Sequence, residues 1–188
     1  EATAILAGNA LHDIAFELIS SEFKNVSLKS NINIINYLSL CLGYNGLALG
    51  QSLDLEFENK KMNKNKILNM YLNKTGKLFE FSFASPFILA NSKNYKIKFA
   101  KEYGLLFGLI FQITDDFIDE TGTFKNIGKT PGKDLKQGKS TLSRVLGKND
   151  ALKLCNQKIS TFKNKYIKLL RKNEILIDIL NFGLNRIT

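Results

Sequence analysis

Three carboxylates and an amide stand inside one apolar run, Phe111-Gln112-Ile113-Thr114-Asp115-Asp116-Phe117-Ile118-Asp119. Folded as a helix, this run sets Gln112, Asp115 or Asp116, and Asp119 about a turn apart on one face. Like charges at that spacing repel by about a few tenths of a kcal/mol in water, and by more where Phe and Ile side chains exclude it. A hard divalent cation relieves the conflict. Mg²⁺ takes one or two protein carboxylates and completes its shell with water and phosphate oxygens. The chemistry expected here is metal-assisted binding of a phosphorylated substrate.

The segment that follows suits the same task. Thr121 to Ser140 reads TGTFKNIGKTPGKDLKQGKS, with four Gly, one Pro and five Lys. Glycine lets backbone approach a ligand closely, and lysine supplies mobile point charges for phosphate. Taken without the carboxylates, the same composition describes an ordinary solvated loop.

These residues have to be positioned by helices. Apolar residues recur at three- and four-residue intervals over Ala4–Ile19, Ile32–Leu55, Ile67–Phe83, Tyr95–Ile118, Ala151–Leu170 and Ile175–Leu184. Sustained alternation of the strand kind is lacking. Breaks are expected at Ser21–Ser30 and Asn59–Lys66, and Pro86 is expected to kink or end the third helix. The predicted class is all-α.

Composition narrows the chemistry. The chain has 188 residues, 44% of them hydrophobic and 23% charged, enough for one domain with a substantial core. Its longest strongly apolar stretch, Tyr103 to Phe111, is far short of the ~20 residues that span a bilayer, so no transmembrane segment is predicted. A single histidine, His12, excludes sites built on several imidazoles, and any metal should be held by oxygen. His12 itself reads as a packing or interface residue. Cys41 and Cys155 lie outside any metal-ligand spacing, and a reduced, cytoplasmic setting is expected. The net charge is +10, but all 27 basic residues save Arg144, Arg171 and Arg186 are lysines, scattered without aromatic interleaving. Specific nucleic-acid binding is therefore not expected.

Four patches occur in order: EATAILAGNAL at the start, Gly50-Gln51-Ser52-Leu53-Asp54-Leu55, Lys74-Thr75-Gly76, and the carboxylate helix with its basic segment. Together they resemble the trans-isoprenyl diphosphate synthases, most closely the bacterial farnesyl and geranylgeranyl diphosphate synthase branch. FQxxDDxxD followed by GK, a further Asp and GKST is the specific part; GQxLD and KTG are weak alone. The resemblance implies an isoprenoid-synthase-type helical bundle around a central cavity. The implied reaction joins an allylic diphosphate to isopentenyl diphosphate, with three Mg²⁺ ions on the allylic diphosphate. Asp115, Asp116 and Asp119 match the second aspartate-rich motif, with Asp115 as direct ligand and the other two acting through water. Lys74, Lys129 and Lys139 match residues that grip the diphosphate. The Thr75 hydroxyl and Gln112 carbonyl match dipoles that steady the allylic cation. Gln51 and Asp54 match residues that line the cavity, and Asp134 matches one that orients a gripping lysine. The family also implies a homodimer, with the first two helical segments at the interface.

The bland readings are specific too. Thr75 before Gly76 could mark only a helix irregularity, and Gln51 with Asp54 an ordinary buried pair. Asp119 could be a surface carboxylate. Lys133 and Lys136 read as solvated, and Phe79, Phe81, Phe83 and Phe87 read as core before they read as the wall of a prenyl tunnel. The first aspartate-rich motif and the paired arginines of the family do not occur, and Asn9 stands where many relatives carry Asp. The expectation is a single partial domain over residues 1–188, lacking its first helices, inactive alone and enzymatic in a longer polypeptide. Farnesyl diphosphate is the expected product and geranylgeranyl diphosphate the alternative. A non-catalytic subunit of a heteromeric synthase and a terpene cyclase are the competing functions.

Overall fold

The computed structural model describes residues 1–21, 26–121 and 138–186. Ser27 opens the first well-packed helix: its hydroxyl accepts the Ser30 N–H at 3.1 Å, replacing a bond that a helix start lacks. Asn63 does the same for Lys66 at 3.0 Å, and Thr141 for Arg144 at 3.4 Å. In chain order the helices are α1 (Ala2–Ser20), α2 (Leu28–Leu42), α3 (Leu47–Glu56), α4 (Lys64–Tyr71), α5 (Lys77–Leu89), α6 (Asn94–Thr121), α7 (Leu142–Leu146), α8 (Lys148–Lys165), α9 (Ile167–Leu170) and α10 (Ile175–Asn185). A π-turn, Leu72–Gly76, joins α4 to α5 without a break in helical backbone. Among the described residues there is no strand, as the periodicity predicts.

Three expectations need correction. The run Ile32–Leu55 is two helices: Gly43 adopts extended backbone and its N–H closes α2 on the Ser39 carbonyl at 2.8 Å. Ala151–Leu170 is also two, separated at Tyr166. Pro86 does not end α5, which continues to Leu89. Proline cannot donate to the carbonyl four residues back, and the Ser85 hydroxyl donates to that Ser82 carbonyl instead, at 3.3 Å. Ala2–Ser20 and Leu28–Glu56 have the length and apolar composition of a membrane span, a test that core helices of folded domains also pass. The second is divided at Gly43–Gly46 and partly buried, as core helices are.

Helix α6 is the organising element. α5 lies along it, α2 packs on α5, and α8 and α10 cover other faces of α6. The core runs from Ile67, Met70 and Tyr71 through Tyr103, Ile110, Ile113 and Phe117 to Leu142, Cys155 and Leu180, all at most 2% exposed. Aromatic side chains fill its wide end, with Phe83 edge-on to Tyr103 at 4.6 Å and Phe99 beside Phe162 at 5.5 Å. A buried polar contact ties α2 to α5: Tyr37 Oη donates to Glu80 at 2.7 Å, and Lys77 pairs with the other carboxylate oxygen at 2.7 Å. In contrast, no residue of α1 is buried, and Ile5, Leu6, Leu11, Ile14 and Leu18 are exposed.

Candidate active site

Two close backbone approaches build the site. A Cβ on Gly50 of α3 would lie 2.0 Å from the Lys74 nitrogen, so only glycine lets α3 rest on the π-turn. On the other side, a Cβ on Gly108 of α6 would lie 2.7 Å from Gly76 Cα. One helical turn beyond each contact stands a polar side chain, Asp54 after Gly50 and Gln112 after Gly108. Both are thereby aimed at the same π-turn.

The π-turn splits its neighbouring side chains between these partners. Lys74 Nζ donates to Asp54 Oδ2 at 2.6 Å, and Thr75 Oγ1 donates to Gln112 Oε1 at 2.6 Å. A π-turn shifts the backbone ladder from four residues back to five. Beside it, the Asn73 side-chain amide donates to the Asn69 carbonyl at 2.8 Å. Thr75 thus does mark a helix irregularity, and the irregularity is what presents it to Gln112.

From Gln112 the network runs inward. Its Nε2 donates to Asp116 Oδ1 at 2.8 Å, and Tyr71 Oη donates to Asp116 Oδ2. The Leu142 N–H donates to that same phenol oxygen at 3.0 Å. Burial first, and then the Asp116 carboxylate, push the Tyr71 phenol well above its ordinary value, so it stays a neutral donor. Asp116 is 3% and Asp119 2% exposed, whereas Asp115 is half-buried and sits 3.7 Å from Arg186. Asp119 is consequently not a surface carboxylate.

Lys139 is placed by the end of α3. Asn59 N–H donates to the Gly138 carbonyl at 2.8 Å, and the Ser140 hydroxyl donates to the Lys60 carbonyl at 2.6 Å. The Lys139 ammonium then lies 3.8 Å from Asp54 and shares that carboxylate with Lys74. Gln51 is exposed while Asp54 is buried, so the two are not a buried pair. Lys129 and Asp134, with Lys133 and Lys136, lie outside the described residues. Phe79 packs on Phe107 at 4.9 Å and on Phe111 at 5.3 Å, making a half-buried aromatic wall beside Gln112. Phe83 joins it, while Phe81 turns to Tyr37.

Sequence reading missed Tyr71 and Arg186. Tyr71 carried a weak signal, since a tyrosine on an apolar helix face needs a partner for its hydroxyl. Arg186 carried a better one, being an arginine in a chain that otherwise uses lysine.

The donor set is oxygen throughout, with Asp115 and Asp119 one turn apart. Among the described residues no three acidic, His or Cys side chains converge on one point. A cation here would draw on one or two carboxylates and fill its shell from water and phosphate, which is the habit of Mg²⁺. The residues fit that ion.

Known proteins resemble this chain along nearly its whole length. The polyprenyl synthetase family model matches residues 1–174. The chain is 37% identical to a farnesyl diphosphate synthase of Micrococcus luteus over 186 residues, covering 99% of this chain and 63% of that protein. It is 34% identical to a geranylgeranyl diphosphate synthase of Cyanophora paradoxa, covering 99% of this chain and 62% of the relative. Among solved structures, a Helicobacter pylori geranyltransferase complexed with magnesium and isoprenyl diphosphate superposes with a TM-score of 0.81 at 31% identity, covering 98% of this chain and 60% of that one. The chain therefore spans less than two thirds of the length of these relatives.

Proposed function

Because the chain belongs to the polyprenyl synthetase family, we propose that it supplies one side of the active site of a Mg²⁺-dependent prenyltransferase. The reaction joins an allylic diphosphate to isopentenyl diphosphate, and the products are farnesyl or geranylgeranyl diphosphate. The observation that carries this reading is the divergence of Lys74 and Thr75 from one π-turn, a cation toward Asp54 and a hydroxyl dipole toward Gln112.

Ionising an allylic C–O bond sheds diphosphate and leaves a carbocation. Lys74 and Lys139 reach the same carboxylate, and with Lys129 they are assigned to the departing diphosphate. Each well-formed charge-assisted contact contributes about 1.5–3 kcal/mol. Mg²⁺, with three ions as the assigned number, supplies the remaining neutralisation of that leaving group when bound. Asp115 is its assigned direct ligand, with Asp116 and Asp119 assigned to support it through water. Asp116 has a second part: tied to Gln112 and Tyr71, it orients the amide whose oxygen meets Thr75. The two oxygens, Thr75 Oγ1 and Gln112 Oε1, are the negative dipoles assigned to the carbocation. The double bond of isopentenyl diphosphate attacks that carbon, a C–C bond forms, and the diphosphate takes the proton lost. Gln51 and Asp134 are assigned to the same cavity, and the wall of Phe79, Phe107 and Phe111 to keeping water from the cation.

The exposed apolar side chains of α1 support a homodimer, and the two buried, unpaired cysteines suit a reduced cytoplasm. The relatives named above favour elongation over cyclisation or a regulatory subunit. Geranyl and isopentenyl diphosphates incubated with the intact protein and Mg²⁺ should give a longer prenyl diphosphate, abolished by EDTA. A cyclic hydrocarbon from farnesyl diphosphate alone, or no product at all, would sink the reading.

A further inference from the structure

Arg186 meets the carboxylate helix from α10. Gly183, one turn earlier, packs against Phe107 and Ile110, where a Cβ would lie 3.4 and 3.6 Å away, and Leu180 is fully buried. These contacts fix the last turn of α10 on α6. The guanidinium then lies over Phe111, its carbon 4.1 Å from the ring centroid, with Nη2 3.7 Å from Asp115 Oδ1. Flat stacking of this kind is open to arginine and not to lysine.

The contact is deliberately placed and poorly completed. Charge-assisted N–H···O bonds run at about 2.7–2.9 Å, and this pair is longer. Nη1 is buried and, among the described residues, has no hydrogen-bond partner. The two side chains are 24% and 37% exposed, so solvent screens the pair. A guanidinium held by stacking and by one long ion pair is easily exchanged.

We propose that Arg186 is a resident counter-ion for Asp115: it neutralises the carboxylate in the cation-free protein and gives it up when a divalent cation binds, loosening the last turn of α10. This rests on the assignment of Asp115 as a cation ligand. A guanidinium and a metal cation repel at one carboxylate, so each weakens the other's hold by the same factor.

The test uses the intact protein and Mn²⁺ alone, with free Mn²⁺ followed by electron paramagnetic resonance. Arg186→Gln should bind Mn²⁺ about three- to fivefold more tightly than wild type, the scale of a partly exposed pair. In an Asp115→Asn background the same substitution should change nothing. Amide exchange over residues 180–186 should quicken when Mn²⁺ is added to wild type, and should already be quick in Arg186→Gln. Wild type and Arg186→Gln binding Mn²⁺ equally, with unchanged exchange, would overturn this proposal and leave the cation assignment standing. No Mn²⁺ binding by any variant would overturn both.

Discussion

Tyr71 and Asp116, 45 positions apart, share a buried hydrogen bond that fastens α4 to the carboxylate helix, and the Leu142 N–H closes on the same phenol. One of the carboxylates in the run is therefore a structural anchor for the others. Removing the phenol takes one hydrogen bond from a buried carboxylate and one from a backbone N–H. Tyr71→Phe should cost about 1–3 kcal/mol, read as a lower urea midpoint at unchanged slope.

The same phenol sets a pH dependence. Its folded value is raised above the ordinary one near 10.0 by burial and by Asp116. Its contribution is thus complete below about pH 10 and is lost as pH rises further, because the unfolded chain releases the proton first. Tyr37 and Tyr103 are raised as well, chiefly by burial. Stability measured from pH 8 to 11 should fall at the alkaline end, and less steeply in Tyr71→Phe than in wild type.

Thr75→Val keeps volume and removes the hydroxyl that meets Gln112. Turnover of the intact protein should drop by about 10²-fold, the scale of one lost transition-state dipole, with KM for the allylic diphosphate little changed. Equal loss in KM would mean that Thr75 only binds.

Gly50→Ala drives a methyl to within 2.0 Å of the Lys74 nitrogen, and backbone cannot yield as a side chain does. A destabilisation of about 1–3 kcal/mol or more is expected, together with weaker binding of inorganic diphosphate in Mg²⁺. Calorimetry would find no change in diphosphate affinity if α3 did not set the lysine.

Cys41 and Cys155 are each 1% exposed, and burial pushes their thiols up to about 11 and about 12. Neither should react with a thiol reagent at pH 8 until urea unfolds the protein. Fast labelling of either in the folded state would contradict this packing.

Much of this was written in the sequence. Helix periodicity placed α4 to α6, and the like-charge run marked the candidate site, because both are local patterns. The break at Gly43 escaped notice since apolar spacing continues across it. The Tyr71–Asp116 bond and the Arg186–Asp115 pair join distant positions, which no local pattern records. The bonds of Asp116 to Tyr71 and Gln112 were hidden for a related reason: adjacent aspartates look alike until their partners are known.

The π-turn between α4 and α5 also carries a length. It holds one residue more than an α-turn would, and each residue of an α-helix rotates the chain by about 100°. Deleting any single residue from Leu72 to Gly76 would yield a smoother helix whose two halves are out of phase. With α5 still seated on α6, Tyr71 and Met70 would swing away from the core they now fill. The irregularity is thus a setting of angle between two halves of one rod, and a more regular protein would point its chemistry the wrong way.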